Sequence, residues 1–173
     1  MPIHSNLMKA AVLALALSAA AAKDISIKSD ASLQDLATEI NDSGILEGYK
    51  KIEIGDGVTS LEPLKDLVQV KKGSLIIEDT TALVDLTGLE SLAHVDEELA
   101  IEDNEALTKI DLPGLESVGM TLTVEGNDAL ETVTIENVSS IGMGLEIEDN
   151  KALEDLTLDI SSVGKCMCHR PPV

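Results

Sequence analysis

Acidic side chains recur at a fixed place in this sequence, beside short aliphatic runs. The phrase LAIEDNEAL begins at Leu99, and related phrases begin at Leu75, Leu122 and Leu145. Carboxylate oxygens are ligands that Ca²⁺ accepts in flexible geometry, so stacking of these phrases would create a candidate calcium column. The candidate ligands are Glu78, Glu102, Glu125, Glu148, Asp79, Asp103 and Asp149.

The C-terminal tail holds a second candidate site. It reads Cys166-Met167-Cys168-His169, and these two cysteines are the only ones in the chain. In an oxidising exterior, cysteines predict a disulfide, here within the tail or between chains. The alternatives are a soft-metal site with thiolate and imidazole ligands, or no defined role.

Motifs for catalysis are not found in the sequence. No serine or cysteine lies in a recognisable nucleophile motif, and there is neither a glycine-rich phosphate loop nor a zinc-protease helix. His94 falls in a predicted turn between repeats. We therefore predict that the protein is not an enzyme and needs no cofactor, with Ca²⁺ as the one candidate.

The acidic phrases belong to a regular repeat. Units begin at Ile52, Leu75, Leu99, Leu122 and Leu145, which are 23 or 24 residues apart. A constant period of this length indicates a solenoid. Within a unit the first and third residues are apolar, as Leu99 and Ile101 are, which is typical of a short strand with one face inward.

Two more apolar clusters follow the first strand of each unit. Ile110 with Leu112 represents the second cluster and predicts another strand. The third cluster is predicted at Leu115 with Val118, and in the earlier copies at Leu64 with Leu67 and Leu89 with Leu92. No segment between the clusters has the length or the period of a crossover helix. The predicted fold class is therefore mainly β: a right-handed parallel β-solenoid of about five rungs, triangular in section.

The position two residues after the recurring glutamate is polar in four copies of the repeat. Asn104, Asn127 and Asn150 occupy it, with Thr80 in the earlier copy. We expect these side chains to stack at a corner and to hydrogen-bond backbone groups where the strand ladder is interrupted.

The repeat resembles a known family. The phrase L-x-I-E-D-N-x-A-L, followed by a segment such as Leu112 to Val118, is similar to the receptor L-domain family, the leucine-rich-repeat-like β-helices of receptor ectodomains and secreted surface proteins. The resemblance covers about residues 49 to 165 and implies the solenoid fold and extracellular recognition. Receptor members carry cysteines near the solenoid start and aromatic residues at their binding surfaces, which this repeat lacks, so no ligand-binding residue carries over.

The sequence predicts four regions. Residues 1–22 have the Lys9 n-region, the apolar run and the Ala20-Ala21-Ala22 cleavage site of a secretory signal peptide. Residues 23–48 should form a strand and a capping helix from Ser32 to Ile40, with Ser32 and Asp35 as a capping box. The solenoid follows over 49–165, and 166–173 form the tail, too short to cover the last rung.

Charge limits the partners. The chain carries a formal net charge of −20, which argues against nucleic acid, and no membrane insertion is expected once the signal is removed. The leading hypothesis is a secreted or cell-surface, non-catalytic recognition or adhesion module that binds an extracellular protein or surface polymer through a solenoid face. The alternatives are a structural surface protein that self-associates through its uncapped C-terminal rung, or a calcium-dependent binding module. Asn41 and Asn137 begin N-x-S glycosylation acceptors.

Overall fold

The computed structural model of the protein describes residues 22–164 and 166–169. The predicted signal peptide therefore lies outside the described residues, apart from Ala22. In chain order the elements are β1 (Lys23–Ile27), α1 (Asp30–Ala37), β2 (Ile45–Glu47), β3 (Tyr49–Ile54), a 3-10 helix (Glu62–Leu64), β4 (Gln69–Lys71), β5 (Ser74–Glu78), β6 (His94–Val95), β7 (Leu99–Glu102), β8 (Lys109–Asp111), β9 (Ser117–Val118), β10 (Thr121–Glu125), β11 (Thr132–Val138), β12 (Ser140–Ile141), β13 (Gly144–Glu148), β14 (Asp155–Ile160) and β15 (Cys166–His169).

The strands of the described residues form three parallel sheets that wind into a β-solenoid. Sheet A has the order β1-β3-β5-β7-β10-β13-β15, sheet B the order β12-β9-β6-β4-β2, and sheet C the order β14-β11-β8. The later coils visit the sheets in the sequence A, C, B, and the earlier described coils have no strand in sheet C. Seven strands in sheet A make six turns, so the predicted parallel β-solenoid is confirmed with more coils than the five expected.

The additional coils come from the two ends of the chain. Strand β1 pairs in parallel with β3, and β15 pairs in parallel with β13. Both segments therefore continue sheet A, although the sequence analysis set residues 23–48 and 166–173 apart from the solenoid.

Alternation of side chains creates the core. Leu99 and Ile101 are fully buried, and they lie in register with Leu122 and Val124 of the next coil. Because an outward residue separates each inward pair, each strand contributes a two-residue aliphatic layer to the interior. The registers Ile52 to Leu75, Leu75 to Leu99, Leu99 to Leu122 and Leu122 to Leu145 confirm the predicted repeat.

The third wall differs from the prediction in the early coils. Val70 and Val95 supply the inward residues of sheet B there, in register with Val118. The predicted pair Leu64 with Leu67 lies instead at the end of the 3-10 helix and just after it, and both leucines are buried. A leucine spacing of three suits a 3-10 turn, in which residues i and i+3 share a side. The backbone N–H of Leu67 donates to the carbonyl of Leu64 as that of Leu115 does to Leu112, so the early pairs correspond to Leu112 with Leu115 and not to Leu115 with Val118.

Helix α1 stands in the first coil where later coils have strands of sheet C. It follows β1 and precedes β2, and it packs against the 3-10 helix of the next coil. Leu33 and Leu36 are buried in the common core. The helix is therefore part of the first coil's wall, and its bounds differ from the predicted Ser32 to Ile40.

The predicted capping box is wrong by one turn. The N-cap is Ser29, whose hydroxyl accepts a hydrogen bond from the backbone N–H of Ser32 at 3.2 Å. Asp30 in the first turn accepts bonds from the backbone N–H and hydroxyl of Thr59, at 2.8 and 2.7 Å. This contact with the second coil fixes the helix start, and a search for a local S-x-x-D pattern cannot detect it.

The C-terminal coil is less covered than the others. Its inward residues Leu156, Leu158 and Ile160 on β14 are half-buried, whereas their counterparts on β11 are fully buried. Among the described residues no strand pairs with the outer edge of β14. Within those same residues, no helix combines the length and apolarity needed to span a membrane.

Candidate functional site

Sheet A presents the broadest outer face of the solenoid, and the predicted acidic column lies along one side of it. Glu78 pairs in register with Glu102, Glu102 with Glu125, and Glu125 with Glu148. The acidic column, meaning these four residues, therefore places one carboxylate on each of four adjacent strands. Like charges on directly opposite strands destabilise a sheet unless they are solvated or paired.

Lys51 partly neutralises the N-terminal end of the acidic column. Its ammonium lies 2.8 Å from a carboxylate oxygen of Glu53 and 3.7 Å from one of Glu78. The hydrogen bond from Lys51, together with one from the Ser26 hydroxyl at 3.0 Å, lowers the pKa of Glu53. Donation of the same hydrogen bond to Glu53 raises the pKa of Lys51, so Lys51 and Glu53 stabilise each other's charged forms.

Further along the column the balance is reversed. Burial raises the pKa of Glu102, and the nearby charges of Glu125, Glu98, Glu78 and Asp103 raise it further. Burial also raises the pKa of Glu78, against the opposing attraction of Lys51. In the middle of the column the ionised carboxylate of Glu102 therefore destabilises the folded state, and binding of a cation or a proton would reduce that cost.

A cleft of about 370 Å³ opens beside this end of the column. Its floor is formed by outward-facing but well-covered residues: Ser74, Ile76 and Ala100. The rim carries Asp24, Lys50, Lys51, Glu78, Glu97, Glu98 and Glu102. A small, uncharged floor with a mainly acidic rim can accept an apolar group that bears a positive charge.

The floor of the cleft belongs to a column that the sequence analysis did not single out. Ile76 pairs with Ala100, and Ala100 with Thr123; each is at most 5% exposed. These residues face away from the core in a strongly acidic chain. The sequence carried a signal for this column, because the second residue of the phrase is uncharged in three consecutive copies.

The aspartates beside the acidic column have a structural role. Asp79, Asp103 and Asp149 have φ values of 56°, 52° and 52°, in the left-handed region, and Gly126 takes the same position with φ 68°. Aspartate, asparagine and glycine are the residues that enter this region at least cost. Chain geometry at the corner therefore accounts for these three predicted calcium ligands without any ion.

The asparagine ladder, which comprises Thr80, Asn104, Asn127 and Asn150, follows directly and confirms the predicted corner role. The side-chain oxygen of Asn127 accepts bonds from the backbone N–H and side-chain amide of Asn104, both at 3.0 Å. The amide of Asn127 donates to the carbonyl of Ile101 at 2.9 Å and to Asn150 at 3.2 Å. Each member thus satisfies polar groups of the neighbouring coil inside the protein.

The remaining predicted site residues lie elsewhere in the fold. Cys166 and Cys168 fall in β15, in register with Gly144 and Glu146, and His169 is in register with Ile147. His94 lies on sheet B, with its Nδ1 3.0 Å from the Ser117 hydroxyl and its Nε2 3.7 Å from Glu116. Within the part of the chain that the structure describes, no group of three or more His, Cys, Asp or Glu side chains could hold a metal ion.

Comparison with known proteins gives no relatives: no family model, no curated protein and no solved structure matches this chain.

Proposed function

We propose that the protein is a secreted or cell-surface, non-catalytic recognition or adhesion module, which binds an extracellular protein or surface polymer through the outer face of sheet A. The observation that supports this proposal is the cleft over Ser74, Ile76 and Ala100, with its uncharged floor and acidic rim. The wall is built from parallel strands in strict register, so it offers a preformed surface that loses little entropy on binding.

The resemblance of the repeat to receptor L-domains supports the same proposal. In this proposal the solenoid is the scaffold, and the outward columns of sheet A supply the specificity. A chain with a net charge of −20 would favour partners that are basic where they meet this face.

Binding to arrays of extracellular proteins and surface polysaccharides from the source organism tests the proposal. A charge-reversed rim, Glu98→Lys with Glu102→Lys, should weaken any specific binding by about tenfold or more, since two acidic rim charges of the cleft are inverted. Glu136→Lys on β11 is the matched control, because Glu136 is exposed on sheet C. Absence of binding, or equal loss in the control variant, would count against a recognition role for this face.

Self-association is a second candidate function, supported by the half-buried aliphatic residues of β14. A strand with an open edge and an incompletely covered apolar face favours pairing with another chain. Sedimentation and light scattering, under reducing and oxidising conditions, measure the oligomeric state. Leu158→Lys should dissolve an oligomer formed here while Thr157→Lys, on the exposed side of β14, should not; a monomer under both conditions removes this candidate.

A calcium-dependent module is the remaining alternative, and it would use the acidic column. The register of the four glutamates and the raised pKa of Glu102 support it. Calcium would then raise the melting midpoint, since a ligand that binds the folded state stabilises it. An unchanged midpoint in millimolar Ca²⁺ would end this alternative.

A further inference from the structure

The floor of the cleft on sheet A is low and narrow at Ala100. Ala100 lies in register with Ile76 on the preceding strand and with Thr123 on the following strand, and it has the smallest side chain of the three. Ile76 is 5% exposed and Ala100 is 1% exposed, although both face away from the core. Neighbouring side chains therefore stand close around these two residues, and the floor suits a slender, unbranched group.

Two carboxylates stand beside the floor, at the same end of two adjacent strands. Glu78 follows Ile76 by two residues on β5, Glu102 follows Ala100 by two residues on β7, and the two glutamates are in register. Alternation along a strand brings them to the same outward face as the floor. Burial is the main cause that raises the pKa of both carboxyls, so a positive charge placed here would stabilise their ionised forms.

The lysines of the protein itself leave part of this negative charge unpaired. The ammonium of Lys51 lies 2.8 Å from a carboxylate oxygen of Glu53 and 3.7 Å from one of Glu78. Among the residues that the structure describes, no lysine, arginine or histidine nitrogen lies within 4.0 Å of a carboxylate oxygen of Glu98 or Glu102. These two acidic groups of the rim are therefore open to a cation from another molecule.

The hydroxyl of Ser74 adds a neutral polar group at the opposite end of the floor. Ser74 precedes Ile76 by two residues and is 9% exposed. Its oxygen accepts a hydrogen bond from the backbone N–H of Glu98 at 3.3 Å, and no described residue accepts its hydroxyl hydrogen. That hydrogen can therefore be donated to a carbonyl oxygen in the cleft. A ligand with an acceptor at one end and a positive charge at the other matches this arrangement.

We propose that the cleft binds one lysine side chain of a protein partner, an inference that rests on the proposed recognition function. The main-chain carbonyl of that lysine accepts from the Ser74 hydroxyl, and its four-carbon stem crosses Ile76 and Ala100. The ammonium lies between Glu78 and Glu102. The cleft volume of about 370 Å³ falls within the range of about 300–1,000 Å³ that small-ligand sites occupy.

The separation of the two carboxylates favours lysine over arginine. Glu78 and Glu102 stand on adjacent strands, whose backbones are about 4.8 Å apart, so the acceptors belong to two different side chains. An ammonium has three donors that turn among separate acceptors, whereas the planar guanidinium fork fits two oxygens of one carboxylate. The uncharged floor also favours an alkyl stem over an amino sugar, whose amine adjoins hydroxyl groups.

NMR titration of the ¹⁵N-labelled full-length protein with small probes tests the proposal. Nα-acetyl-lysine methylamide should shift the amide signals of Ile76 and Ala100 in a saturable way. The norleucine analogue, which lacks the charge, should bind about tenfold more weakly or worse, and the arginine analogue several-fold more weakly. Glucosamine represents the amino-sugar alternative. Tighter binding of glucosamine than of the lysine probe, or equal binding of the lysine and arginine probes, would overturn the proposal.

Two variants locate the binding at the cleft. Glu78→Gln with Glu102→Gln should weaken binding of the lysine probe by about tenfold or more, and Ala100→Leu, which fills the floor, should do the same. Glu136→Gln with Asp159→Asn, at exposed positions of sheet C, removes the same number of charges and is the matched control. Equal loss in the control would assign the effect to overall charge and overturn the proposal. Circular dichroism checks folding, and the charge variant decides if Ala100→Leu does not fold.

Array binding distinguishes this inference from the function on which it rests. If an extracellular protein binds the face while the lysine probe causes no shift at Ile76 and Ala100, the lysine inference is overturned and the recognition role stands. If neither the arrays nor the probe shows binding, both are removed.

Discussion

Single residues on the same wall of the solenoid have two different roles: some shape the corner, and others contribute charge. The asparagine ladder and the left-handed aspartates shape the corner, whereas the acidic column contributes charge without any evident architectural need. The contrast is sharp because the two sets are adjacent in every phrase: Glu102 carries the charge, Asp103 turns the chain and Asn104 hydrogen-bonds the next coil.

The asparagine ladder should be costly to interrupt. Replacing Asn127 by alanine leaves the buried N–H of Asn104 and the carbonyl of Ile101 without their partners. Since an unsatisfied buried group costs about 1–3 kcal/mol, we expect Asn127→Ala to lower the free energy of unfolding by about 3 kcal/mol. Urea denaturation measures it, with Asp128→Ala as control, because the exposed pair of Asp128 with Lys151 should contribute little.

Two glutamates of the same face should respond oppositely to pH. The folded state raises the pKa of Glu102 above 4.5, so its ionised form costs stability that is regained as pH falls through the raised value. Glu102→Gln should therefore raise Tm at pH 7 by about 1–2 °C, and the difference should vanish near pH 4.

Glu53 should show the opposite pH dependence to Glu102. Its pKa is lowered by Lys51 and Ser26, so its ionised form adds stability above pH 4.5 that is lost as pH falls through the lowered value. Glu53→Gln should lower Tm at pH 7. Thermal melts that move both variants in the same direction would contradict the destabilising role assigned to ionised Glu102.

The sequence predicted the residue roles that repeat and missed those that depend on distant contacts. The asparagine ladder was identified because its members recur at one place in the period. The coverage of Ile76 and Ala100 could not be read from the phrases, since it depends on neighbouring strands and on long side chains such as Lys51. The left-handed backbone at Asp103 was likewise invisible until the corner was built.

At the scale of elements, α1 shows how a solenoid accepts a different structure in one wall. The helix replaces a strand in the first coil, and its apolar side meets the aliphatic core that strands of sheet C meet further along. The helix lies in the end coil, where it packs against a single neighbouring coil, and the wall of that neighbour is itself a 3-10 helix.

The position of the helix cap gives a direct test of the helix start. The Ser29 hydroxyl accepts the first free backbone N–H, so Ser29→Ala should lower the free energy of unfolding by about 1 kcal/mol. The Ser32 hydroxyl lies 3.0 Å from the Ser29 carbonyl and 2.7 Å from the Ser29 hydroxyl, and caps no backbone N–H, so Ser32→Ala should cost less. Chemical denaturation of both variants distinguishes them, and a larger loss at Ser32 would restore the capping box expected from the sequence.

At the scale of the whole molecule, stability is summed along one axis. Each coil contacts its neighbours through in-register aliphatic layers, so interior coils are covered on both sides and the last coil on fewer. A repeat protein of this kind behaves as a row of units coupled to nearest neighbours.

Position along the axis should therefore decide the cost of a core substitution. Ile101→Ala, in a fully buried central layer, should lower the free energy of unfolding by about 3 kcal/mol. Leu158→Ala, in the half-buried last coil, should cost about 1 kcal/mol, since part of its surface already meets water. Equal costs in denaturation experiments would mean that another molecule covers the last coil.

The asparagine ladder has a consequence for how this gene can change. The three asparagines of the ladder present the same donors and acceptors to the coils on each side, so removal or duplication of one whole period among them rejoins like with like. An insertion of any other size would leave a polar group facing aliphatic residues. Length in such a protein is inherited in discrete steps, and unequal recombination between neighbouring copies can lengthen or shorten it while preserving the fold.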